Sequence, residues 1–162
     1  MIYAGDFRKG TTFEWEGVVY DDPDTAAATI AALSRFYKTN DDAKALVDTI
    51  FSALTDAIDE TGSFGSANSD AMVIIGLIAM GENPAELKNP TSKKSVIDGL
   101  LSYANEGRNG FTYYGEENYM ATEQGFRALV ALSAFDGEAM NIYDFSENEV
   151  TEGRETQEEI PP

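Results

Sequence analysis

The chain has 162 residues, an apolar fraction of 43% and a formal net charge of −18 from 29 acidic and 11 basic residues. This length predicts one domain with its own core, and the charge disfavours nucleic acids and anionic membranes, because phosphate binding requires clustered Lys and Arg. The chain contains neither Cys nor His, which excludes disulfides, thiol nucleophiles, Ser-His-Asp catalysis and zinc sites built on those residues. A binding role fits this composition better than any of these mechanisms.

Residues 1–21 combine aromatic side chains with glycine. Between Phe13 and Tyr20 polar and apolar residues alternate around Gly17, which is typical of a short β-hairpin. We therefore interpret 1–21 as an N-terminal aromatic segment that contains a short hairpin.

Two helices are predicted next. Asp22 is a helix N-cap and Pro23 suits the first helical position, so an Ala-rich helix is expected from about 23 to 37. Asn40 and the two following Asp residues predict a second helix over about 42–60. Its apolar residues recur at the spacing of one buried face, while Asp48, Asp56 and Asp59 should face water; the apolar set is Ala43, Leu46, Val47, Ile50, Phe51, Leu54 and Ile58.

The stretch from Asn68 to Gly81 is apolar on every side and ends at a glycine that is soon followed by Pro84. A helix that is apolar all round is buried on all sides, and this one is too short to cross a membrane. We predict that it is an inner helix of the core. The segments 24–36 and 121–135 resemble it and are also expected to be inner helices.

Two further helices are predicted before an acidic end. Residues 92–105 should form an outer helix capped by Thr91 or Ser92, with Ile97, Leu100, Leu101 and Ala104 on its apolar face. Residues 120–135 should form an inner helix, preceded by an aromatic loop at 111–115 that is similar to 13–17. From 138 to 162 the chain is acidic and too polar to fold alone, so we expect a linker or a disordered tail.

The inner helices share a motif in which a small residue precedes leucine: Ala32-Leu33, Gly76-Leu77 and Ala128-Leu129. This recurrence indicates an array of helical hairpins, in which each inner helix is buried by its neighbours. The stretches 68–84 and 120–132 resemble the repeat of the prenyltransferase and squalene-cyclase-like α/α toroids, above all the branch in surface proteins of Gram-positive bacteria, which is itself similar to the cobalamin carriers.

This resemblance covers residues 10–135. It implies an all-α fold over 22–137, a partial α/α toroid of two to three helical hairpins with short β-like loops. A full toroid of this family has six hairpins, so the partial ring would leave apolar edges exposed. A homodimer, further sequence outside this chain, or the N-terminal aromatic segment would have to cover them.

The enzymes of this family need residues that the chain lacks. Their zinc ligands include Cys and His, and their acidic Asp-x-Asp-Asp motif differs in order from the segment 21–24, where helix capping explains the acids. We therefore predict no catalytic residues, no metal ligands and no cofactor. Calcium binding by Asp21, Asp22 and Asp24 is left open.

In such toroids the starts of the inner helices and the loops before them line one mouth of the ring. Asp24, Thr25, Asn68, Ser69 and Thr122 are expected there. The candidate ligand-binding residues are Trp15, Asp70, Tyr113, Tyr114, Tyr119, Glu123 and Gln124. Aromatic faces with carboxylates and amides suit a sugar, a peptide or a corrinoid. The alternative is that these residues are ordinary helix caps and half-buried loop aromatics.

The resemblance and the missing catalytic residues predict a non-catalytic extracellular binding or adhesion domain of a bacterial cell-surface protein. Its partner would be a protein, a glycan or a small molecule, with no nucleic acid and no membrane insertion. One alternative is a fragment of an isoprenoid cyclase or prenyltransferase-like enzyme, which would need a deep apolar cavity and an acid of raised pKa, such as Asp70 or Glu123. Another alternative is a structural spacer between other modules.

Overall fold

A computed structural model describes the backbone of residues 12–15 and 18–143, and the side chains from residue 22 onward. These residues form mainly α-helices, so the fold is all-α in class, with two short antiparallel strand pairs. The elements are β1 (Thr12–Trp15), β2 (Val18–Asp21), α1 (Pro23–Leu33), α2 (Asp41–Ala57), α3 (Ala67–Met80), α4 (Val96–Ser102), β3 (Thr112–Tyr113), β4 (Glu116–Glu117) and α5 (Tyr119–Ala134). Short 3-10 turns lie at Ser34–Phe36 and Pro84–Glu86.

Each of the four long helices begins at a side chain that accepts a hydrogen bond from the backbone amide three residues later. These N-caps are Asp22, Asn40, Ser66 and Asn118. The caps at Asp22 and Asn40 and the hairpin of β1 and β2 are confirmed as predicted. The helix starts are therefore determined by local chemistry, because each cap satisfies an amide that has no partner within its own helix.

Helix α3 lies at the centre of the fold. Every residue from Val73 to Ala79 is buried, as predicted for a helix that is apolar on all sides. Helices α1 and α5 pack on opposite flanks of α3, α4 also packs on α3, and α2 packs on α1. Among the described residues, no helix combines the length and the hydrophobicity that crossing a bilayer requires.

Small residues allow the central helices to approach closely. A Cβ atom added to Gly76 of α3 would lie 2.9 Å from the backbone oxygen of Ala27 in α1. On the other side, the ring of Phe111 lies directly against Gly125 of α5. A larger side chain would therefore force the backbones of α1 and α3 apart at Gly76 and displace the Phe111 ring at Gly125.

The predicted outer helix at 92–105 starts later than expected and differs from the prediction at one position of its buried face. Helix α4 begins only at Val96, because Ser95 and Asp98 form a capping box in which each side chain bonds the other's backbone amide. Leu101, predicted on the apolar face, is 50% exposed, whereas Val96 and Leu100 are buried. The later cap leaves residues 91–94 outside the helix, whereas Leu100 is buried and Ile97 and Ala104 pack on the core as predicted.

The first and second helices are shorter than predicted. Helix α1 ends at Leu33 and continues as a 3-10 turn, and α2 ends at Ala57 rather than near 60. The two flanking helices are also less enclosed than predicted for inner helices. Val130 of α5 is 66% exposed, because among the described residues α5 has a helical neighbour on one side only.

The chain after α5 returns across the ends of the central helices. The backbone N–H of Met140 donates to the Ile78 oxygen at 3.0 Å, and the Asn141 side chain donates to the Ala31 oxygen at 2.8 Å. Packing on the core thus extends beyond the predicted boundary at 137 as far as Tyr143. The remainder of the acidic segment, 144–162, lies outside the described residues.

Replacing Gly76 with Ala should destabilise the fold, although Ala is the better helix former. The added methyl group meets backbone rather than a flexible side chain, so α1 and α3 must separate, at a cost of about 1–3 kcal/mol. Urea denaturation followed by circular dichroism measures this change. The control is Ser52→Ala on the exposed side of α2, which adds no contact. Its free energy of unfolding should stay within about 0.5 kcal/mol of the wild type. Equal stability of the two variants would contradict the close contact at Gly76.

Candidate ligand-binding mouth

The first turns of α1, α3 and α5 meet at one end of the molecule around a surface depression of about 650 Å³. The other ends of α1 and α3 also lie together, since residues 140 and 141 bond to both. These helices therefore start at a common end, and the β3–β4 hairpin adds one wall to the depression. We call this depression the mouth.

The tip of the β3–β4 hairpin supplies two aromatic rings. Tyr113 and Tyr114 have ring centroids 4.4 Å apart at an angle of 62°. The turn consists of Tyr114 and Gly115, with φ of 51° and 83°, and positive φ at both central residues is what a type I′ turn requires. Tyr114 is 90% exposed, so its ring projects into solvent at the edge of the mouth.

Amide and carboxylate groups line the opposite walls. The Asn68 side-chain nitrogen donates to the Gln124 side-chain oxygen at 2.7 Å, which leaves the Asn68 oxygen and the Gln124 nitrogen without a partner among the described residues. Asp22 is occupied as the cap of α1, whereas Asp24 is exposed. No described basic residue lines the mouth.

The structure brings together three of the seven candidate residues. Tyr113, Tyr114 and Gln124 line the mouth, together with Asp24, Asn68 and Ser69, which were also expected there, and with residues that were not anticipated: Phe64, Gly65, Asn118 and Met120. The expected Thr25 and Thr122 do not line it. Asn118 could have been anticipated from its position as a cap before an apolar segment.

Three other candidates point elsewhere. Glu123 pairs with Arg127 one turn along α5, and Tyr119 is 98% exposed outside the mouth. Asp70 is fully buried. The side chain of Trp15 lies outside the described residues, although its backbone belongs to β1.

Asp70 holds the loop that lines the mouth rather than the mouth itself. One carboxylate oxygen accepts a hydrogen bond from the Phe64 backbone at 2.7 Å and from the Ser63 hydroxyl at 3.1 Å. Ser63 in turn accepts from the Gly65 backbone at 2.9 Å and lies 3.1 Å from the Tyr103 hydroxyl. Asp70 therefore positions Phe64 and Gly65, which form the wall between α1 and α3.

The second carboxylate oxygen of Asp70 is buried and has no hydrogen-bond partner among the described residues. It lies against Gly99, where an added Cβ atom would come within 2.9 Å of it. Burial, with a smaller contribution from the negative charges of Asp59 and Asp24, raises the pKa of Asp70 to about 7 against the opposing hydrogen bonds from Phe64 and Ser63. The carboxyl group thus titrates near neutral pH.

The neighbouring Asp59 behaves in the opposite way. Burial raises its pKa, but hydrogen bonds from Thr61, Ser63 and Gly62 outweigh that effect and lower it overall. The two acids that flank the loop therefore differ in charge at mildly acidic pH. A second depression of about 180 Å³ lies beside this loop and shares Pro23, Phe64 and Gly65 with the mouth.

Neither depression provides the site that a cyclase would need. Asp70, the acid with a raised pKa, lines neither of them. Within the described residues, no three acidic side chains converge closely enough to hold a metal ion. The possible calcium group includes Asp21, whose side chain lies outside those residues.

The stability of the protein should depend on pH through Asp70. Because the pKa is higher in the folded state than the ordinary value of 3.8, the stabilising contribution of this group is complete below about pH 4 and is lost as the pH rises through about 7. Asp70→Asn removes this loss. Relative to the wild type, the variant should gain up to roughly 3–4 kcal/mol between pH 4 and pH 8, as measured by urea denaturation at several pH values.

Asp98→Asn is the control, because the pKa of Asp98 is shifted in the opposite direction to that of Asp70. Hydrogen bonds from the Ser95 backbone and hydroxyl lower the pKa of Asp98, so its contribution is present above pH 4 and is lost as the pH falls. Relative to the wild type, this variant should lose stability only as the pH rises toward 4, and the difference should then stay constant from pH 4 to pH 8. A constant difference between wild type and Asp70→Asn from pH 4 to pH 8 would contradict the assignment for Asp70.

Comparison of the chain with protein-family models, with curated proteins and with solved structures finds no match. The resemblance to the α/α toroids therefore stays a prediction, and the function has to be argued from the mouth itself.

Proposed function

We propose that the chain is a non-catalytic binding domain whose ligand occupies the mouth, within an extracellular protein of a bacterial cell surface. The single observation that carries this proposal is that Tyr114 is exposed and has a left-handed backbone conformation. A non-glycine residue in the left-handed region costs about 1–2 kcal/mol, and Tyr114 gains no burial in return because it is 90% exposed. Backbone strain of this kind concentrates at ligand sites.

The turn could be built at lower cost. Asn-Gly is the preferred sequence for a two-residue type I′ turn, and here tyrosine occupies the position of the asparagine. An exposed aromatic ring that the fold does not need is best explained by a contact with a partner, since aromatic residues are enriched among the residues that dominate binding energy.

The groups around the mouth favour a neutral, hydroxyl-rich ligand such as a glycan. The two tyrosine rings offer apolar faces to the C–H side of a sugar ring, and the Asn68–Gln124 pair offers one donor and one acceptor. An anionic ligand is disfavoured, because Asp22 and Asp24 line the mouth and no described basic residue does. A basic peptide is the second ligand class that these charges allow.

The arrangement of the helices supports a partial α/α toroid. Helices α1, α3 and α5 lie side by side and start at one end, while α2 and α4 connect them and pack on α1 and α3. The extracellular location rests on the resemblance of the repeat to bacterial surface proteins. A second copy of the chain, the other predicted partner, fits a different surface, on α5.

The enzyme alternative receives no support from the site, because the acid that titrates near neutral pH is enclosed behind the mouth. A spacer would need no ligand at all, so a direct binding measurement separates it from the proposed domain.

Tyr114→Asn tests the proposal, because its two effects have opposite signs. The resulting Asn-Gly turn should stabilise the fold by about 1 kcal/mol, while loss of the ring should weaken ligand binding by about tenfold or more. Screening an array of neutral and acidic glycans identifies the ligand, and titration calorimetry measures its affinity. Phe36→Asn removes a half-exposed aromatic ring beyond the C-terminal end of α1 and should leave binding unchanged.

A second variant addresses the polar wall. Gln124→Ala removes the acceptor of the Asn68 amide and should also weaken binding. Failure of the protein to bind any neutral glycan or basic peptide would favour the spacer. Binding that Tyr114→Asn leaves intact would overturn the assignment of the mouth.

A further inference from the structure

The exposed apolar surface of the described residues is concentrated on one side of α5. Tyr119, Met120, Phe126 and Val130 are 98%, 65%, 42% and 66% exposed. They flank Glu123 on the side of the helix that faces away from α3. We call these four apolar residues the α5 face. Isolated exposed apolar residues are common, but a contiguous row along one helix marks an interaction surface.

The described part of the chain covers only the margin of this face. Tyr143 reaches Arg127, where the Arg127 guanidinium donates to the Tyr143 hydroxyl at 3.0 Å. The ring of Phe126 meets Phe111 edge-on, with centroids 5.9 Å apart, so one edge of that ring is buried and the rest is exposed. The helix has 16 residues and is therefore about 24 Å long, which is sufficient for a helix–helix interface.

The charges beside this face are self-complementary. Glu123 and Arg127 form an ion pair one helical turn apart, close to the middle of α5. Positions 123 and 127 are equally distant from position 125, and so are positions 120 and 130. Two antiparallel copies related by a two-fold axis at that level place Glu123 opposite the partner's Arg127 and Met120 opposite the partner's Val130.

We propose that the α5 face is a self-association surface, on which a second copy of this chain packs its own α5 in antiparallel orientation. A parallel arrangement in register would place like charges together, so the ion pair selects the orientation while the apolar residues supply the affinity. The net charge of −18 opposes association at long range. At 0.15 M salt this repulsion is screened beyond about 8 Å, whereas the facing pairs of the proposed dimer would lie within that distance.

Charge reversal tests the proposal, because an effect confined to one chain cannot be reversed by mixing two variants. Glu123→Arg gives a chain with two cations at these positions, and Arg127→Glu gives one with two anions. Each variant alone should have a dimer dissociation constant raised by at least about tenfold, because like charges face each other. An equimolar mixture should form a heterodimer with an affinity close to that of the wild type, since both facing pairs are then opposite in charge.

Light scattering at two protein concentrations in 0.15 M NaCl measures the mass. The matched control is the exposed i,i+4 pair of α2, Lys44 and Asp48; Lys44→Glu and Asp48→Arg should leave the wild-type mass unchanged. Val130→Asp should abolish the dimer while leaving the melting temperature close to that of the wild-type monomer. Circular dichroism of every variant confirms that it is folded.

A wild-type chain that is monomeric at all concentrations would overturn the proposal. So would a mixture of the two charge variants that stays monomeric, or single variants that dimerise as well as the wild type. A chain ending at Tyr143 that dimerises where the full chain does not would show that residues 144–162 occupy this face instead, and would also overturn it.

Discussion

The whole arrangement depends on the burial of α3. Ten of its residues carry no charge and no exposed face, so the helix is stable only when other elements surround it completely. Helices α1 and α5 occupy its flanks, and Gly76 allows α1 to approach until the two backbones touch. Because the flanking helices start at the same end as α3, enclosing it also brings three helix starts together. The mouth is thus a consequence of how the core is built.

Asp70 is the one acidic residue of this otherwise uncharged helix, and the free-energy cost of burying it is linked to the mouth. A buried carboxyl group with one unpartnered oxygen is destabilising once it ionises, which is why its pKa rises. Its other oxygen binds the backbone of Phe64 and the hydroxyl of Ser63. The same group therefore fixes the loop that forms one wall of the mouth, and connects the core to the surface where a ligand would bind.

Two surfaces of different chemistry lie at and beside the start of α5. The mouth is polar and aromatic, and its key residue, Tyr114, accepts backbone strain without burial. The α5 face is a row of apolar side chains beside one ion pair. Met120 belongs to both surfaces, whereas Tyr114 lies only at the mouth and Val130 only on the α5 face. Changes at Tyr114 and Val130 therefore remove glycan binding and pairing with a second copy separately.

The sequence by itself determined the starts of α1 and α2 and the central helix. Caps such as Asp22 and Asn40 act within three residues, and the apolar run of α3 has one physical solution, so both are readable locally. Tertiary packing decided the rest: which side of α5 is covered, that Asp70 turns inward, and that Glu123 and Tyr119 point away from the mouth. The start of α4 was mispredicted because several Ser and Thr residues could cap it, and only the reciprocal bonds of Ser95 and Asp98 select one. Side-chain direction depends on neighbours that are distant in sequence, and a local pattern carries no record of them.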